Sequence, residues 1–190
     1  MRPERDFTPP SAFCPHPERW TAIDAASAER EVTELVASLV RALQPDYVVE
    51  TGAAYGYTAQ AIGEALRRNG HGRLVTLEID EARAVEAEER CAGLPVKVLQ
   101  QHSLQFVPEE PVGFAWLDSS AEERDRELRR YLPWMASGTL VAVHDTGPHF
   151  PVHPRLQALV KEGFVRGVRL RTPRGVSLLE VLADGMHSAQ

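Results

Sequence analysis

Short apolar runs alternating with longer segments of helical periodicity limit the fold of this chain more than any other feature. Residues 47–51 read as a buried strand, 58–68 as a helix closed by Asn69-Gly70, and 74–79 as a second strand. Residues 81–92 are helical with Gly93 just after them, 96–100 form a third strand and 112–117 a fourth. A charged helix over about 121–135 leads to "TLVAV" at 139–143, the fifth strand. After a short helix at 156–161, segments 164–171 and 176–182 flank "TPRG", a hairpin signal. Continuous apolar strands joined through helices must be covered on both faces. They predict an α/β fold with a doubly wound, mostly parallel sheet and an antiparallel C-terminal hairpin. Ahead of these units a helix begins at Ala28. There Val32, Leu35, Val36, Leu39, Val40 and Leu43 recur at three and four, and Pro45 stops it.

A length of 190 residues suits one domain, here 28–190, with residues 1–27 as an N-terminal arm able to act as a lid. The arm carries Pro3, Pro9, Pro10, Pro15 and Pro17, too many for regular structure. Phe7, Phe13 and Trp20 are available to cover something, and a disordered tail is the alternative. The net charge of −6 argues against a grip on nucleic acid. No run approaches the roughly 18 apolar residues of a membrane helix, and no secretory leader is expected. Cys14 and Cys91 do not make a disulfide framework, so a reducing cytoplasm is the expected home. In "EERDRELRR", Glu122–Arg126 and Asp125–Arg129 are four apart in the favourable order, which reads as a solvated helix face.

The chemistry gathers at "VVETGAAYGYT", where an apolar run ends in Glu50 and turns through Gly52 and Gly56. A plain strand-to-helix turn, a dinucleotide fingerprint and a pocket for another nucleotide-like cofactor all compete here. The dinucleotide reading wants G-x-G-x-x-G, and Ala53 and Ala54 stand where the pyrophosphate-adapted glycine belongs. Nicotinamide or flavin dinucleotides are therefore disfavoured. In open parallel sheets ligands sit beyond the carboxyl ends of the strands, which is where this turn lies. The second strand ends "LVTLEID" and sets Glu78 beside it; a carboxylate there can accept both hydroxyls of a ribose. Asp80 fits better as the cap of the next helix.

"VVETGAAYGYTAQAI" followed by "GRLVTLEID" resembles the class I S-adenosylmethionine (SAM)-dependent methyltransferases. Within them it is most similar to the catechol O-methyltransferase-like and macrocin O-methyltransferase-like group, from about Ala28 to the terminal hairpin. The resemblance implies seven strands with the last antiparallel. It also implies that Glu50, Gly52, Ala53, Tyr55, Gly56 and Thr58 line the methionine side of SAM. Glu78 would hold the ribose, with His102 and Ser103 flanking the adenine. It further implies transfer of a methyl group to a hydroxyl of a small molecule.

Asp118 in "FAWLDSS" and Asp145 in "LVAVHDTG" end neighbouring strands and face the same crevice. Two such aspartates could share one divalent ion, and acids at these positions bind Mg2+ in the related metal-dependent enzymes. Alternatively, Asp118 orients sulfonium or substrate and Asp145 caps a loop without metal. Thr146 stands where the catechol-type enzymes have asparagine as a third ligand, and a hydroxyl is a poorer donor. Ala121 replaces their general-base lysine, so a base must come from elsewhere. His149 and His153, four and eight residues beyond Asp145, are the candidates, with ordinary loop histidines or a zinc site as rivals. Strand alternation should turn His144 away from Asp145. The expected partners are a small-molecule substrate, with no nucleic acid and no membrane; a homodimer is left open. A catalytically silent SAM-binding protein of the same fold is the competing function.

Overall fold

The computed structural model describes residues 9–182, so Phe7 and the last residues of the 28–190 segment lie outside the described part. Helix α1 (Arg30–Leu43) ends with Gln44 in the left-handed conformation at φ 52°, one residue before Pro45. Then come β1 (Tyr47–Thr51), α2 (Tyr57–Asn69), β2 (Arg73–Glu78), α3 (Glu81–Arg90) and β3 (Val96–Gln100). Asp80 caps α3, its carboxylate accepting from the Arg83 amide at 2.9 Å. The second half runs β4 (Phe114–Leu117), α4 (Arg124–Tyr131), β5 (Leu140–His144), α5 (Val152–Lys161), β6 (Val165–Leu170) and β7 (Val176–Val181).

The seven strands form one sheet in the order β3-β2-β1-β4-β5-β7-β6. β1 to β5 pair in parallel, and β7 runs against both of its neighbours, β5 and β6. The hairpin folds so that its later strand takes the inner place; β6, not β7, is the edge. Alternate strand residues feed opposite cores. Val49, Leu77, Leu117 and Val143 pack with Leu128, Tyr131, Leu156 and Leu159 of α4 and α5. Val48, Leu74, Trp116 and Ala142 pack with Val36, Val40, Ile62 and Leu66 of α1 and α2. Burial on both faces is why the strands read as continuous apolar runs. The chain leaves β1 toward β2 and β3, then returns to the other side of β1 as β4. That reversal opens a crevice at the carboxyl ends of β1 and β4.

The expected helix at 121–135 is shorter. α4 ends at Tyr131, and Pro133 confines the continuation to a single 3-10 turn, Leu132–Trp134. The arm, as far as it is described, lies against the body. Arg169 stacks over the Phe13 ring at 4.8 Å, and the Thr21 amide donates to Glu31 at 2.9 Å. Cys14 and Cys91 are free and buried. Among the described residues no helix is long and apolar enough to cross a membrane.

Candidate active site

The turn after β1 is clipped onto the end of β2. The amides of Gly52 and Ala53 both donate to the Leu77 carbonyl, at 2.8 and 3.0 Å. Glu78 completes the clip: Oε2 accepts from the Ala54 amide at 2.7 Å, and Oε1 from Ile79 and Asp80 at 2.9 and 3.0 Å. The glycines serve close approach as much as ligand space. A Cβ on Gly52 would stand 2.3 Å from the Asp118 carbonyl oxygen, and one on Gly56 2.8 Å from Cα of Ala87 in α3. Both have positive φ, 77° and 80°.

The ends of β1 and β4 are also tied from below. Glu127 of α4 is fully buried and accepts from Thr51 Oγ1 at 2.9 Å and Ser119 Oγ at 2.5 Å. The charged helix keeps a solvated face, with Glu122, Arg126 and Arg129 exposed, but its other side is buried. Arg124 is 2% exposed, and the expected pairs within α4 give way to long-range ones, Arg129 to Glu162 and Arg155 to Asp125. The charges of α4 serve the strand ends and α5 instead.

A cavity of about 440 Å³ occupies the crevice. Gly52, Glu78, His102, Ser103 and Asp118 line it, with Ala54, Ile79, Gln101, Ala121, Arg124, Asp145 and Arg174. A second cavity of about 370 Å³ lies against the arm, walled by Trp20, Asp24, Glu29, His149, Phe150 and Pro173; Ala25 and Arg174 belong to both.

Where the two cavities meet, six buried or half-buried charged groups form a chain. Glu29 Oε2 meets His144 Nε2 at 2.9 Å, and His144 Nδ1 meets Asp118 Oδ1 at 3.0 Å. One nitrogen of Arg124 donates to Asp118 Oδ1 at 3.0 Å and to Asp145 Oδ2 at 2.9 Å. Arg174 approaches Asp145 from the other side, Nε 2.6 Å from Oδ1 and a terminal nitrogen 2.9 Å from Oδ2. The hairpin turn that carries Arg174 is pinned by the Gly147 amide, which donates to the Arg174 carbonyl at 2.8 Å. Burial alone would discharge His144, but Asp118 and Glu29 hold its pKa up, at about 9. Burial would raise Asp145, yet His144, Arg124 and Arg174 keep its carboxyl below the ordinary range.

The profile of the methyltransferase-domain family matches residues 49–146, from β1 through the end of β5. The chain belongs to that family. Its fold is that of the class I SAM-dependent methyltransferases. It is similar to the O-methyltransferase TomG from Streptomyces achromogenes, solved in complex with SAM. Identity to TomG is 20% with TM-score 0.69, covering 83% of this chain and 82% of that one. The O-methyltransferase from Bacillus cereus, solved with SAH, gives 20% identity and TM-score 0.69 over 84% of each chain. The SAH-bound Podospora anserina methyltransferase PaMTH1 gives 16% and 0.71, over 83% of this chain and 81% of that one. No curated protein sequence matches the chain.

The crevice receives Gly52, Glu78, His102, Ser103 and Asp118. Other residues placed on its methionine side by sequence do not form its wall. Glu50 is wholly buried, with Oε2 lacking a hydrogen-bond partner, and burial pushes its pKa up to about 8. Ala53 is buried, Gly56 faces α3, and Thr58 Oγ1 lies 3.4 Å from Thr33 Oγ1 of α1. The Tyr55 ring lies under Arg83, itself a wall residue. His149 lines the second cavity and stacks on Phe150, ring centres 4.3 Å apart. His153, on α5, lines neither cavity.

His144 overturns its expected orientation. Its ring reaches both aspartates, 3.0 Å from Asp118 and 3.8 Å from Asp145. Asp145 adopts φ 54°, and this left-handed step after β5 breaks the alternation that would have separated the two side chains. Arg124, Arg174 and Glu29 were missed from sequence; only the position of Arg174 in the hairpin turn hinted at exposure to a site.

Asp118, His144 and Asp145 bring possible ligand atoms within 4.8 Å of one another. That spacing alone would serve an ion, but Asp118 Oδ1 and Asp145 Oδ2 already accept from Arg124, and the ion pair with Arg174 Nε at 2.6 Å lies against Asp145 Oδ1, which makes no hydrogen bond. Thr146 is not among the converging donors: its Oγ1 is buried without a hydrogen-bond partner. Two carboxylates and waters could complete an octahedron around Mg2+, but the donor set does not fit it with the Arg124 guanidinium bonded to both of them.

Proposed function

We propose that this methyltransferase transfers a methyl group from SAM to a hydroxyl oxygen of a small molecule. The observation that carries the reading is the crevice itself, a cavity at the β1/β4 switch point walled by the glycine turn and Glu78. The residues suit SAM. Glu78 spends three acceptor sites on amides, and a carboxylate has about four, leaving room for a ribose hydroxyl. Similar folds solved with SAM or SAH support the same choice.

Bound SAM supplies a methyl carbon carried on a positive sulfur. The acceptor oxygen then forms the C–O bond as the C–S bond breaks, its electron pair staying on sulfur, and the hydroxyl proton must leave. Ala121 cannot take that proton. In this reading the acceptor enters from the second cavity, between Trp20 and Phe150, and His149 accepts the proton. The wall common to both cavities, Ala25 and Arg174, is where acceptor and methyl group would meet. The comparisons give no support to a catalytically silent binder. Incubation with methyl-labelled SAM and a panel of hydroxylated small molecules tests the reading. It predicts SAH release and label on oxygen; label found on nitrogen or carbon instead would contradict it.

A further inference from the structure

We propose that Arg124, backed by Arg174, is the permanent cation of this site, so that Asp118 and Asp145 bind no divalent ion and methyl transfer needs none. The inference rests on the methyltransferase reading for its second half only.

Position comes first. Arg124 is 2% exposed and reaches between the ends of β4 and β5 to bond both aspartates through one nitrogen. An ion shared by the two carboxylates would need that same space. The guanidinium is held in place by three backbone oxygen contacts as well. Nε donates to the Ser119 carbonyl at 3.0 Å, a terminal nitrogen to Ser119 at 2.5 Å, and the other to His144 at 2.6 Å. Such a fork cannot swing aside without leaving buried donors and acceptors unpaired.

Charge balance points the same way. Asp118 and Asp145 supply two negative charges, and Arg124 and Arg174 two permanent positive ones. A divalent ion would add two positive charges to a neutral, buried cluster. It would bond oxygens at about 2.1 Å while a guanidinium nitrogen remained within hydrogen-bond distance of them. An arginine cannot relieve this by losing its proton.

Arg174 supplies what remains of an ion's usual work. It is less enclosed, its side chain 27% exposed, and it lines both cavities. Nε and one terminal nitrogen engage Asp145, and the other terminal nitrogen donates to the Ser27 carbonyl at 3.3 Å. Of its five N–H groups, two have no acceptor among the described residues. They can donate to an acceptor oxygen that gains negative charge as its proton leaves. Arg124 is thus a positioning residue, and Arg174 the cation that meets the acceptor.

The test titrates Mn2+ into the full-length parent, with and without SAH, and follows free Mn2+ by electron paramagnetic resonance. The same samples are titrated with SAH by calorimetry. No saturable Mn2+ binding across the millimolar range, together with SAH binding, is the expected result. Saturable Mn2+ binding would overturn the proposal while leaving the methyltransferase reading intact; absence of SAH binding would instead strike that reading. Folded Arg124→Met should gain a Mn2+ site, with its melting temperature rising on Mn2+ addition, whereas Arg124→Lys should not. An Arg124→Met protein that folds yet binds no Mn2+ would overturn the claim that the arginine stands in an ion's place. If that variant does not fold, the parent titration still decides.

Discussion

His144 and Glu29 touch across 115 positions of sequence, His144 Nε2 lying 2.9 Å from Glu29 Oε2. Through this contact the residue just before α1 is joined to the end of β5, and so to both aspartates of the crevice. Glu29 also accepts from the Arg174 amide at 3.3 Å, which ties the hairpin turn to the same point. Removing one partner of a buried ion pair leaves the other uncompensated, at a cost of about 3–5 kcal/mol. Glu29→Ala should therefore destabilise the protein by roughly that amount in urea unfolding at neutral pH. A loss below about 1 kcal/mol, the scale of an exposed pair, would show that the contact carries little.

Glu50 gives the pH dependence. Its carboxyl is buried, and burial pushes its pKa up to about 8, above the ordinary 4.5. An acid whose folded pKa is raised binds its proton more tightly folded than unfolded. Its burial therefore costs nothing below pH 4.5, and the penalty grows as pH rises toward about 8. Without cofactor, Glu50→Gln should match the parent in acid and become the more stable protein above neutrality. Thermal melts at several pH values check this; a gap that shrinks with rising pH would contradict the assignment.

How much of this was legible follows the sequence distance of each contact. The strands, the glycine turn, Glu78 at the end of β2 and the two aspartates were readable because each rests on local pattern. The sheet reversal then brings them to one crevice. What escaped were contacts the fold alone creates: Arg124 to Asp145 across 21 positions, Arg174 to Asp145 across 29, and Glu29 to His144 across 115. Around α4 the charges spaced four apart do stand on the solvated side, Glu122, Arg126 and Arg129 being exposed, but that pattern says nothing of the opposite side. There tertiary partners bury Arg124 and Glu127. The left-handed Asp145 was equally invisible, since nothing in "HDTG" requires it.

Glu78 both holds the turn and faces the cavity, so its loss should act on the ligand and on the clip. A hydrogen bond to a charged group contributes about 1.5–3 kcal/mol. Glu78→Ala should weaken SAM and SAH binding on the order of ten- to a hundredfold by calorimetry. Unchanged affinity would remove the ribose assignment.

His149 is expected to matter for turnover and not for cofactor. A positioned base contributes typically about 10²–10⁴-fold, so His149→Ala should lower turnover by at least the lower figure while leaving SAH affinity in place. His153→Ala, altering a residue outside both cavities, should turn over close to the parent. Full activity in His149→Ala would make the loop histidines bystanders, and proximity in the cavity would have to carry the reaction.

The most direct measurement is a crystal structure of the chain with SAH. The account predicts one molecule in the crevice, a ribose hydroxyl on the Glu78 carboxylate and its adenine beside His102 and Ser103. Its sulfur should point toward the wall shared by the two cavities at Arg174 and Ala25. SAH bound elsewhere, or in the crevice with its ribose away from Glu78, would contradict it.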